Sequence, residues 1–445
     1  MAISDLVEHP MKNSTLLIGI IAIIAVVSAG AVIITMYQPD DGLADQEYNN
    51  NNDLNPNVNF SSDIAFHESA NDFAFELLKE FDTNDEYQTN AFFSPYSIFT
   101  ALAMTYEGAE NNTAAEMAAT LNIPQDNESF HTYVSNLYTT LNTNTDYNIS
   151  TANALWIKTG YQLLEDYLAD VQTHYHAEST NIDFSDPENA AAIINNWIEN
   201  ETNNLIQDLI SPDNIDPALT RLILTNAIYF KGIWKIQFDE ANTTDRPFTL
   251  TNGEQIDVET MTLIDTDNTF NYTETETLQL LSLPYEGDDL SMMILLPKEE
   301  TTLSTMIADL TEKTYYDLLD DMTQRNVDIY LPSFNVSTPQ YKLSDMLINM
   351  GIKDAFTYDA DFSGITGSPD LFIKHVLHKA FVSVNEEGTE AAAATGVVMD
   401  FKAAPGAGSQ QIVFDCDHPF LYLIQHQETG TILFMGTMDN PNLEA

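Results

Sequence analysis

The chain has 445 residues, 44% of them hydrophobic, which suffices for one large core or for two or three average domains. Its 68 acidic residues against 15 basic ones leave a formal net charge of −53 at pH 7. A field of that sign repels nucleic acid and anionic lipid and argues against polyanion binding, and acid scattered this evenly reads as a solvated surface suited to salty surroundings.

Residues 1–15 form a short leader carrying Lys12, which weakly favours a cytoplasmic N-terminus. Leu16 to Tyr37, LLIGIIAIIAVVSAGAVIITMY, has no charge and is long enough to cross a bilayer as a helix. Ala29-Gly30-Ala31 resembles a signal-peptidase site, so secretion after cleavage is the alternative. The apolar run continues beyond Ala31, which favours an uncleaved single-pass anchor with the rest of the protein outside the cell. Residues 38–63 are rich in Asn and Asp and read as a flexible linker. From Ile64 to Ala445 there is no second linker and no internal repeat, so one domain is expected.

Within 64–445, apolar spacing from Ile64 to Phe81 predicts an amphipathic helix. NAAAIINNWIENETNNLIQDLI predicts a second, with Ile194, Trp197, Ile198, Leu205 and Leu209 on one face. RLILTNAIYFKGIW has the pattern of a strand buried on both sides. LQLLSLPYEGDDLSMMILLP predicts two strands turning at Glu286-Gly287-Asp288, and NVDIYLPSFNVST another strand pair. YKLSDMLINMGI predicts a short helix ended by Gly351. Helices interleaved with long antiparallel strands in one domain give an α+β class.

Sequence signatures of catalysis are missing: no Gly-x-Ser-x-Gly elbow, no His-Glu-x-x-His, no phosphate-binding glycine pattern. No enzyme activity, cofactor or metal is therefore expected. His174 and His176 have a spacing that would project both from one face of a strand, without a third ligand. Asp265, Asp267 and Asn268 open like a calcium loop but lack its Gly and closing Glu. Cys416 is the sole cysteine and reads as a small buried hydrophobe. His378, flanked by Val376, Leu377, Ala380 and Phe381, is expected to be buried and hydrogen-bonded.

Seven stretches, in order, resemble the serpin family of serine protease inhibitors. They are NAFFSPYSIFTALAMTYEGAENNTAAEM, ISTANALWIKTGY, INNWIENETNNLIQDLI, LILTNAIYFKGIWKIQFD, VDIYLPSFNVST, HVLHKAFVSVNEEGTEAAAATG and DHPFLYLIQHQETGTILFMGTMDNP. The resemblance runs from about Ile64 to Pro441 and suggests a prokaryotic or archaeal type of member. It departs from the family in its anchor, its acidity and a longer segment after the bait. It implies three β-sheets, about eight to nine helices and an exposed reactive-centre loop that proteases attack as bait. In inhibitory members the cut loop inserts into the largest sheet and drags the covalently bound protease with it, a stored-strain switch of which serpins are the standard example.

By the same resemblance, Glu386, Glu387, Gly388, Thr389, Glu390, Ala391, Ala392, Ala393 and Ala394 form the hinge that enters the sheet. Strand alternation would put Thr389, Ala391, Ala393, Thr395, Val397 and Met399, all small or apolar, on one face, with Glu390 on the other. Counting sixteen residues from Glu386 places the bait at Lys402, with Lys402-Ala403 as the reactive bond. A register one shorter makes Phe401 the bait and the target chymotrypsin-like. Ser94, Ser97, Asn153, Asn226 and His378 resemble the polar cluster where the sheet parts, and Trp234 the tryptophan where insertion begins. The implied partner is an extracellular serine protease held covalently, or a cysteine protease, with the serpin acting as a monomer. A non-inhibitory member serving as a binding or chaperone-like module is the alternative.

Overall fold

Periodic apolar residues fix the first described element: the helix Ile64–Asp82 buries Phe73, Leu77, Leu78 and Phe81. The computed structural model describes residues 64–443 apart from 85, 88, 124–126, 177, 265–267 and 390–410. The anchor and linker assigned to residues 16–63 lie outside the described residues, as do Asp265 and Asp267. Among the described residues, no helix is long and apolar enough to cross a membrane.

The described residues form ten α-helices and three sheets, the α+β plan expected. The resemblance implied about eight to nine helices; the ten among the described residues include single turns such as Ser363–Thr366. One seven-stranded sheet runs Phe92–Phe93, Ile432–Met438, Phe420–His426, Leu290–Pro297, Leu278–Pro284, Phe270–Glu274, Thr323–Arg325. A four-stranded sheet joins Ile412–Asp415, Val327–Pro332, Gln255–Leu263 and Thr244–Thr249.

The central sheet positions the site. Its middle is a pair of twelve-residue strands, Leu222–Ile233 and Ile373–Val384, which run parallel and pair directly from Leu222 with Ile373 to Ile228 with Ala380. Tyr147–Lys158 and Glu178–Ile182 extend one side, and Phe334–Ser337 the other. Both faces are covered, which explains the near-continuous apolar runs. Leu222, Leu224, Ile228 and Phe230 enter the main core, whereas Ile223, Ala227 and Leu377 pack with Ile194 and Ile198 of the helix Pro187–Glu201.

Three sequence readings need correction. The helix expected to reach Leu209 ends at Glu201, because the Thr202 hydroxyl turns back to donate to the Ile198 carbonyl and Asn203 and Asn204 take φ of 52° and 63°. Leu205 is accordingly 37% exposed. NVDIYLPSFNVST yields two strands, but they are not partners: Val327–Pro332 joins the four-stranded sheet and Phe334–Ser337 the central one. His174 ends the helix Glu165–His174 rather than lying on a strand. Its ring stacks on His131 at 4.2 Å, while that of His176 stacks on Tyr138 at 4.4 Å, so the two imidazoles serve different neighbours.

Candidate functional site

Above Ile228 and Ala380 the two middle strands are joined by a third. Gly388–Thr389 runs antiparallel to both, Thr389 opposite Gly232 on one side and Val384 on the other. Glycine is required at 388 by space: a Cβ there would collide with the Gly232 carbonyl oxygen and come within 2.8 Å of the Ile233 Cα. Thr389 is fully buried, and its hydroxyl lies 2.7 Å from that of Tyr285. The Tyr285 ring stacks on Trp234 at 4.5 Å, and burial pushes its phenol pKa upward.

The turn leading into this short strand is held at several points. The Trp234 indole N–H donates to the Asn385 carbonyl at 2.9 Å, and its backbone N–H donates to the Glu387 carbonyl at 2.9 Å. The Asn385 side chain accepts from the N–H groups of Glu387 and Gly388 at 3.1 and 3.2 Å. The Thr243 hydroxyl donates to the Glu386 carboxylate, and the Phe238 N–H to the Glu386 carbonyl. The structure thus places Trp234, Glu386, Glu387, Gly388 and Thr389 together. Glu390, Ala391, Ala392, Ala393, Ala394, Phe401, Lys402 and Ala403 lie outside the described residues.

Lower in the sheet, Ser94, Ser97, Asn153 and His378 converge. Ser94 caps the helix Pro95–Tyr106, its hydroxyl accepting from the Ser97 N–H at 3.1 Å and donating to the Leu433 carbonyl at 2.6 Å. The Ser94 N–H donates to His378 Nε2 at 3.1 Å, which assigns that nitrogen as the acceptor. The Ser97 hydroxyl donates to Asn153 Oδ1 at 3.0 Å. Asn226 stands level with both Asn153 and His378 in the strand ladder. These bonds link the helix Pro95–Tyr106 to strands on either side of the seam between Leu222–Ile233 and Ile373–Val384, so parting the seam must disturb them.

Sequence reasoning missed Tyr285, Thr243, Phe238 and Leu433. Tyr285 is 104 positions from its partner Thr389, and its one local signal is its place beside the Glu286-Gly287-Asp288 turn, where Gly287 and Asp288 take positive φ. Cys416 is buried, and burial drives its thiol pKa well up, as for an inert core residue. Among the described residues, no group of three His, Cys, Asp or Glu side chains converges to hold a metal.

The profile of one family, described as serpin (serine protease inhibitor), matches residues 68–441. The chain belongs to the serpin family. An uncharacterized serpin-like protein of Thermococcus kodakarensis is 42% identical over 84% of this chain and 85% of its own length. Among solved structures, protease nexin-1 with heparin superposes with a TM-score of 0.76 at 30% identity, covering 85% of this serpin and all of that chain. Human thyroxine-binding globulin does so with a TM-score of 0.76 at 29% identity, again over 85% of this chain and all of the other. Serpins are typically inhibitors of proteases rather than enzymes.

Proposed function

We propose that this serpin is an irreversible suicide-substrate inhibitor of extracellular serine proteases, trypsin-like enzymes first, with cysteine proteases as further targets. The observation that carries this reading is the seating of Gly388–Thr389 as the first rung of a new antiparallel strand between two parallel ones. By strand alternation the residues that follow, EAAAATGVVM, would bring only small or apolar side chains to the face on which Thr389 is buried. A protease serine attacks the Lys402 carbonyl carbon, the amine of Ala403 leaves with its proton, and the bait remains esterified to the protease while the freed strand inserts. Lys402 is the sole Lys or Arg after Lys379, and it matches the acidic specificity pocket of trypsin-like proteases.

Incubation with trypsin-, chymotrypsin- and subtilisin-like proteases, followed by denaturing gel electrophoresis, tests the reading. A complex that survives denaturant is expected with the trypsin-like enzyme and is lost in Lys402→Ala, since removing one partner of a buried ion pair costs about 3–5 kcal/mol. The released C-terminal peptide should begin at Ala403; one beginning at Lys402 makes Phe401 the bait. Simple cleavage of the wild type by every protease would support a non-inhibitory binding member, the reading favoured by likeness to thyroxine-binding globulin.

The layout proposed with this function is a cytoplasmic leader 1–15, an anchor 16–37, a linker 38–63 and a monomeric inhibitor domain 64–445 held outside the membrane. Sequencing the mature N-terminus tests it: recovery near Val32 from the medium replaces anchoring with secretion.

A further inference from the structure

Three of the chain's nine histidines meet along one seam, where the helix Asn127–Thr143 packs on the helix Glu165–His174. His131, Ser135 and Tyr138 fall at i, i+4 and i+7, so they share one face of the first helix. Across from them stand His174, Tyr175 and His176. The His131 and His174 rings stack at 4.2 Å with 16° between their planes. His176 takes a φ of 50°, uncommon for a residue other than glycine, and its ring lies on Tyr138 at 4.4 Å with Nε2 3.2 Å from the Ser135 hydroxyl.

A carboxylate from a third helix closes the seam. Glu107 caps the end of the helix Pro95–Tyr106, and its side chain is only 9% exposed. One of its oxygens accepts from His131 Nε2 at 2.7 Å and from the Tyr175 hydroxyl at 2.6 Å, so a single atom ties three helices together. Burial, reinforced by Glu107, holds the Tyr175 phenol pKa well above its ordinary value, which keeps it a donor. The hydrogen bond to Glu107 raises the His131 pKa above 6.5 against the effect of burial, and the charges of Glu107 and Asp170 add to the rise. Burial and then His131 lower the pKa of His174, outweighing Asp170 and Glu107. His176 is lowered by burial and by His174 but is exposed and weighs less, and the charge acting on its neighbour Tyr138 is that of Glu201.

We propose that Glu107, His131 and His174 form a proton-operated clasp on the helix Asn127–Thr143: one proton, held between His131 and Glu107, closes it, and a second, on the stacked ring, opens it. Protonated His131 is the ion partner of a nearly buried carboxylate, whereas a protonated His174 faces another imidazolium at stacking distance. The two histidines therefore act in opposite directions. The contribution of His131 is complete below pH 6.5 and is lost as pH rises through its raised folded pKa. That of His174 is complete above pH 6.5 and is lost as pH falls through its lowered one. The helix is thus held hardest near pH 6.5 and loosens on either side. It also packs on the strand Tyr147–Lys158, so its release frees a flank of the central sheet. Neither step involves the bait or its insertion.

Hydrogen–deuterium exchange of the intact serpin at constant ionic strength, followed across the range from pH 4.5 to 8.5 and corrected for the intrinsic exchange rate, tests the clasp. Protection of the amides in 127–143, taken relative to the helix Pro187–Glu201, should peak near pH 6.5 and drop by roughly three- to tenfold toward either end. Glu107→Gln should flatten the alkaline arm, His174→Gln the acid arm, and His131→Gln both. In proton spectra the His131 ring, assigned through its loss in His131→Gln, should titrate above pH 6.5 in the wild type and lower in Glu107→Gln. A wild-type ratio independent of pH, arms unmoved by these variants, or a His131 that titrates at or below 6.5 overturns the clasp. Because His174 ends its helix and is half-buried, its variant carries the test even if Glu107→Gln folds poorly.

Discussion

On the proposed insertion mechanism, Thr389 is the residue on which the switch would turn. Its side chain is fully buried with its hydroxyl against Tyr285, so Thr389→Arg would force a charge into the main core at a cost of several kcal/mol. The variant should still be cut in its loop yet release the protease, and a denaturing gel should show the nicked serpin without the covalent complex. His426 supports a second prediction. It is 1% exposed with Nδ1 at 2.9 Å from the Thr429 hydroxyl, and burial lowers its pKa from 6.5 to about 4, opposed by Asp289. A base whose folded pKa is depressed takes up its proton first in the unfolded chain. Its contribution is therefore present above pH 6.5 and is lost as pH falls from 6.5 toward 4, by about 3 kcal/mol in all. His131 shifts the other way, raised by its hydrogen bond to Glu107, so the comparison must be between variants. Between pH 7 and pH 4.5, His426→Gln should lose less stability than wild type in denaturant titrations.

Among the elements, the parallel seam between Leu222–Ile233 and Ile373–Val384 is the one that would have to yield under the proposed insertion. Insertion replaces this one parallel seam with two antiparallel ones, and parallel pairing is slightly the weaker per residue. Backbone amides along 222–228 and 373–380 should therefore exchange with deuterium more slowly after loop nicking, by about tenfold or more. Equal exchange rates would mean that the seam never opens. These strands were legible in the sequence because burial on both faces leaves long apolar runs such as LILTNAIYF. The cluster of Ser94, Ser97, Asn153 and His378 was legible only through resemblance, since its members come from three separate elements that no local period connects. Tyr285 was not legible, because a lone tyrosine beside a hairpin turn carries no mark of a partner 104 residues away. The end of the helix Pro187–Glu201 was misread because apolar residues continue at helical spacing past Thr202, where the backbone leaves the helix for local side-chain bonds.

For the whole molecule, the charge of −53 sets the working conditions. Like charges crowd a folded surface more than an extended chain, and the folded state therefore gains more from screening. The thermal midpoint should rise as salt is raised from 0.05 M to 1 M, where the Debye length contracts to about 3 Å. A midpoint that falls would mean that ion pairs such as Arg246–Asp415 outweigh the general repulsion. The twelve-residue length of the two middle strands has a mechanical meaning on this scale. If the loop inserts as proposed, a strand reaching the level of Leu222 from Gly232, at roughly 3.4 Å per residue, would travel about 34 Å. Under that proposal a cut after Lys402 would release the full stroke, whereas a cut after Ala394 would leave a strand eight residues shorter and a correspondingly shorter stroke. On that mechanism the point of cleavage would set how far an attacker is carried, and a protease that bites early would keep its freedom whatever its catalytic chemistry.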